Sequence, residues 1–81
     1  MESDTVAVAI RKHILSRKKH VLGVYSKPEG ALPLFRRLIT DDSHSGIVTV
    51  YRIDSDRALE RYKFNREQGT LEPEPLPREE Y

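Results

Sequence analysis

Seven side chains able to carry positive charge fall within ten residues: Arg11, Lys12, His13, Arg17, Lys18, Lys19 and His20. Cations at this density neutralise phosphates, and binding made that way weakens steeply with salt. Arg36 and Arg37 would extend the footprint if the fold carries them near. A second basic set emerges if the segment up to Phe64 is a strand. Arg52, Arg61 and Lys63 then alternate onto the face opposite Tyr51, Tyr62 and Phe64. Exposed aromatics would stack on single-stranded bases. With only two Phe and four Tyr in the chain, however, the core has first claim on Phe35, Tyr51, Tyr62 and Phe64. Tyr25 sits beside a turn and is left for a binding edge.

The acid–base inventory is thin. His13, His20 and His44 are the three imidazoles, and a small metal-independent ribonuclease would need two of them with an arginine such as Arg36 or Arg37 to steady the phosphorane. On a helix, seven residues put His13 and His20 about 10 Å apart, too far to share one phosphate. Asp41, Asp42 and His44, or Asp54 and Asp56, hold metal-ligand atom types but lack the glycine and glutamate of a calcium loop, so turn formation is their expected role. The absence of Cys removes thiolate chemistry, disulfides and sulfur-ligated metals. Neither a zinc-binding His-Glu-x-x-His nor a phosphate-cradling glycine loop occurs. The expectation is therefore no catalytic residue, no cofactor and no metal, with the ribonuclease as a remote alternative.

Charge is sorted along the chain. From Arg11 to Arg66 there are thirteen Lys or Arg against six Asp or Glu, whereas Glu67 to Tyr81 holds five Glu and one Arg, and the total is +1. A basic body with an acidic tail suits a polyanionic partner that the tail can compete with. Eighty-one residues make one small core, so partner binding or self-association is a reasonable source of added stability. The longest apolar run, Val6 to Ile10, is far short of the roughly twenty residues that cross a bilayer. A cytoplasmic protein that does not engage membranes is the expectation.

The elements that must position these residues can be read in order. Ser3 or Asp4 can cap a helix from Thr5, with Val6, Ile10 and Ile14 at four-residue spacing and Ala7 and Leu15 widening the stripe; the same stretch is also good strand material. Val21 to Tyr25 reads as a strand, and Lys27-Pro28-Glu29-Gly30 as a turn. Ala31 to Thr40 is a short helix or packed segment, since Pro33 is comfortable only in a first turn. Ile47 to Ile53 is the clearest strand, with Ile47, Thr49, Tyr51 and Ile53 on one face and Val48, Val50 and Arg52 on the other. Asp54-Ser55-Asp56 turns the chain into a second strand ending at Phe64, although Ser55 could instead cap a helix. Asn65 to Gly69 is a turn and Thr70-Leu71-Glu72 a short edge strand. Three prolines and four glutamates in the last ten residues make an extended tail.

The expected fold is thus α+β: an N-terminal helix packed on a small antiparallel sheet in a single domain over residues 1–71, followed by a flexible acidic, Pro-rich tail over 72–81. The expected function is a non-enzymatic nucleic-acid-binding regulator or accessory protein that uses Arg11, Lys12, Arg17, Lys18, Lys19, Arg36 and Arg37. The alternative is an adaptor or inhibitor that meets an acidic protein surface through the edge strand at Val21 to Tyr25, with Tyr25, Leu76 and Tyr81 as apolar anchors.

Overall fold

The computed structural model describes residues 5–54 and 57–76. Strand β1 (Thr5–His13) and β2 (Lys19–Tyr25) form a hairpin; a 3-10 turn (Pro28–Ala31) leads into α1 (Leu32–Leu38); β3 (His44–Arg52), β4 (Ala58–Asn65) and β5 (Thr70–Pro73) complete the chain. The sheet is antiparallel with order β2-β1-β3-β4-β5, open, and covered by the helical segment on one face.

The N-terminal helix is overturned: Thr5–His13 is a strand paired on both sides, to β2 and to β3. Four-residue spacing is a multiple of the strand period as well as near the helical one, so Val6 and Ile10 share a face in either conformation. Ala7 and Ala9 decide between them. They alternate with β-branched Val6, Val8 and Ile10, and both are buried beneath the helical segment, where their small side chains let it approach the sheet. The proposed caps, Ser3 and Asp4, lie outside the described residues.

The helix is instead in the segment read as short and packed. Pro28 and Pro33 both stand in first turns, where their missing N–H is not needed. Ala31, Phe35 and Ile39 point down into a core of Ala7, Ala9, Val48, Val50 and Phe64, and the Phe35 and Phe64 rings meet at 5.3 Å. Gly46 lies under this contact: a Cβ there would stand 2.7 Å from Ile39 Cδ1.

The β3–β4 hairpin is present, and it is the Val48 and Val50 face of β3 that turns toward the helix, not the Tyr51 face given to the core in the sequence reading. Register pairs Ile47 with Lys63 and Val48 with Tyr62. Arg61 and Lys63 therefore share the open face with Tyr51, while Arg52 falls on the helix side with Tyr62 and Phe64. Tyr51 and Arg52 exchange the faces expected of them, because strict alternation along β3 ties Tyr51 to Ile47 and Thr49. Ser55 and Asp56, within the expected turn, lie outside the described residues, as do 77–81. The start of the expected tail belongs to the sheet: Glu72 and Pro73 are in β5, and Glu74 N–H donates to the Arg61 carbonyl at 2.9 Å. No helix among the described residues is long and apolar enough to cross a membrane.

Candidate nucleic-acid interface

The basic run is a β-hairpin end, not a helix flank. His13 N–H donates to Lys18 O at 2.9 Å and Arg17 N–H to His13 O at 2.8 Å, with Arg17 in the left-handed region at φ 62°. Alternation then divides the cations between faces. Lys12 and Lys19 stand directly opposite one another on the open face, and Arg11 stands opposite His20 on the helix side. Like charges facing across a ladder oppose folding, and the Lys12–Lys19 pair is of that kind.

On the open face the hairpin cations meet those of β4. Lys12, Arg17, Arg61 and Lys63 line a groove of about 400 Å³ floored by Ile47, with Glu74 the carboxylate on its wall among the described residues. Arg61 Nε lies 2.9 Å from Glu74 Oε1, an ion pair in which the N–H is not aimed along the contact. A smaller apolar hollow of about 190 Å³ adjoins it, between Ile10, Ile47, Tyr51, Lys19 and Leu76. Arg61 and Lys63, separate from the N-terminal run in sequence, reach this site because the β3–β4 register carries them there. The signal was their i, i+2 spacing.

The remaining expected residues are placed differently. Arg36 Nε and Nη2 donate to Gly69 O at 3.1 and 2.9 Å, clamping the helix to the β4–β5 turn, and Arg37 is exposed on the helical layer, away from the groove. Lys18 is exposed in the hairpin turn. Tyr25 is half-buried and packs against both Gly23 and Gly30. Leu76 helps wall the apolar hollow, and Tyr81 lies outside the described residues.

The histidines separate as well. His20 is exposed on β2, whereas His13 and His44 are cross-strand neighbours with ring centroids 4.9 Å apart, edge to face. Ser16 N–H donates to His13 Nδ1 at 3.1 Å. Ser43 Oγ donates to Asp41 Oδ1 at 2.6 Å and lies 2.9 Å from His44 Nδ1. The bonds from the Ser43 hydroxyl and N–H hold the Asp41 carboxyl below its ordinary range, with help from the charges of His44 and Arg66. Tyr62 moves the other way, raised chiefly by its 2.6 Å hydrogen bond to Glu60. No group of three or more metal-ligating side chains occurs among the described residues. Comparison with known proteins finds no matching family model, no similar curated protein and no similar solved structure, so function has to be argued from the geometry of the chain itself.

Proposed function

We propose that this chain is a small non-enzymatic accessory or regulatory protein that binds single-stranded nucleic acid on the open face of its sheet. The observation that carries the reading is the convergence of Lys12, Arg17, Arg61 and Lys63, from two strands and a turn, around one groove whose lining among the described residues includes a single carboxylate. Phosphates would follow the groove, and the hollow beside Tyr51 and Ile47 offers an apolar floor to the bases. The test is fluorescence anisotropy with a labelled single-stranded oligonucleotide across a salt series. Lys12→Ala with Lys63→Ala should weaken binding on every sequence and reduce the slope of log K against log salt by about 1.4, two phosphate contacts' worth. Arg37→Ala should leave both unchanged. An unaltered slope in the double variant would remove the groove from the footprint.

The adaptor reading has one observation in its favour: β2 is a sheet edge with Val21 and Val24 exposed. Against it, β2 carries a bulge opposite Ala9/Ile10 and begins with lysine at Lys19, both devices that discourage an added strand. Nucleic acid is the better-supported partner.

A further inference from the structure

We infer that Glu74 to Leu76 form a strap that lies across the open face of the sheet in the free protein and must leave it when a nucleic-acid strand binds. The inference rests on the nucleic-acid reading for what the strap competes with, and on the contacts of the segment for the strap itself. β5 ends at Pro73, yet Glu74 stays on the sheet. Its N–H donates to the Arg61 carbonyl at 2.9 Å and its carboxylate Oε1 lies 2.9 Å from Arg61 Nε, with both atoms of that ion pair shut off from solvent. Two residues on, Leu76 lines the apolar hollow with Ile10, Ile47 and Tyr51. Arg61 and Ile47 line both this hollow and the basic groove, so the segment sits where the two meet. Pro75, between the two anchors, fixes its own φ and restricts Glu74 before it, so docking orders little additional chain.

The segment has no part in the core. Among the described residues the buried cluster under the helical layer ends at Phe64 and its half-buried flank at Leu71. Leu76 is nevertheless only 38 % exposed, against 88 % for Leu15 in the hairpin turn, and the hollow it lines is on the open face. Ile47 and Thr49 line the same hollow and are 9 % and 8 % exposed, although the helical layer lies on the other side of the sheet. The two anchors differ in kind. Leu76 is held by apolar burial, which does not depend on charge, whereas Glu74 occupies a guanidinium that a phosphate would take. A strand laid along this face, with a phosphate on Arg61 and bases over Ile47 and Tyr51, crosses the line that Glu74 and Leu76 hold. The strap therefore closes the site by position as well as by charge.

The experiment has two arms on the full chain. In the first, Leu76→Ser removes the apolar anchor and leaves every charge in place. Affinity for a labelled single-stranded oligonucleotide should rise about threefold to tenfold, as when a state closed for most of the time is opened. The gain should be the same at low salt and at about 0.15 M, with the slope of log K against log salt unchanged. An unaltered affinity overturns the gate, and so does a fall, which would make Leu76 a contact of the bound strand. In the second arm, NMR follows the Leu76 methyls of the wild-type protein. Without oligonucleotide they should show nuclear Overhauser contacts to Ile10, Ile47 or Tyr51, and at saturation these should vanish while the contact between the Phe35 and Phe64 rings remains. Leu76 contacts that are missing from the free protein, or that survive in the complex, overturn the strap. Oligonucleotide binding by neither the wild type nor Leu76→Ser would sink the nucleic-acid reading and the gate that rests on it, and the contacts in the free protein would still decide whether the segment is docked.

Discussion

At the residue scale, the loop before β3 shows how a side chain acts through its neighbours. Asp41 is exposed, yet it receives both the N–H and the hydroxyl of Ser43, at 3.0 and 2.6 Å, and so closes a small turn that aims His44 at His13. Its carboxyl sits below the ordinary range because both bonds favour the charged form. A group whose folded pKa is depressed contributes stability that is present above its unfolded value and is lost as pH falls through the folded one. Acidification should therefore release this turn late, after ordinary carboxylates have been protonated. Carboxyl carbon NMR should find Asp41 titrating below the ordinary aspartate value, and Ser43→Ala should bring it part of the way back, since the backbone bond survives the change. An Asp41 midpoint unmoved by Ser43→Ala would mean that the hydroxyl bond is not the main cause.

At the scale of elements, the decisive contact is the helical segment on the sheet, and it depends on what is missing beneath it. Gly46 leaves room for Ile39 and Phe35, with no space for a Cβ at 2.7 and 3.1 Å. Gly46→Ala should force the helix off its seat and cost about 1–3 kcal/mol in denaturant unfolding, the usual penalty for overpacking a close-packed core. An unchanged midpoint would show that the helix floats. β3 was legible in the sequence because its β-branched alternation bounded by breakers has no helical counterpart; β4, without a β-branched residue, was open to a helix capped by Ser55, and the alternation that ends at Phe64 favoured the strand that the structure has, with the Asn65 to Gly69 turn and the short edge strand after it. The first strand was not. Val6, Ile10 and Ile14 satisfy both periods, and the choice is made by tertiary pairing: β1 lies between β2 and β3, so its backbone bonds are taken on both edges. The candidate site was legible in part for the same reason. The cations of residues 11–19 were visible as a cluster, but their division between faces, and the arrival of Arg61 and Lys63, follow from register that no local pattern states.

At the scale of the whole molecule, the sorting of charge along the chain becomes an arrangement across the sheet. β5 and the residue after it set Glu72 beside Lys63 and Glu74 beside Arg61, so the acidic C-terminal segment borders the basic groove that the N-terminal hairpin and β4 create. A cut after Leu71 would remove half of β5, whereas a cut after Pro73 spares the strand and removes Glu74, Glu79 and Glu80 with a single arginine, Arg78. The second truncation should keep the fold, because the buried core ends at Phe64 and its half-buried flank at Leu71. On the proposed nucleic-acid reading it would also free Arg61 from Glu74 and take away negative charge that opposes a polyanion. Polyanion affinity should rise about threefold to tenfold at low salt and by less at about 0.15 M, where a Debye length of about 8 Å confines competition to close encounters. Circular dichroism and anisotropy on the same sample separate the outcomes. A truncated chain that unfolds would make Leu76, at the wall of the apolar hollow, part of the structure, and a folded one with unchanged affinity at low salt would show that the acidic segment does not compete for the groove.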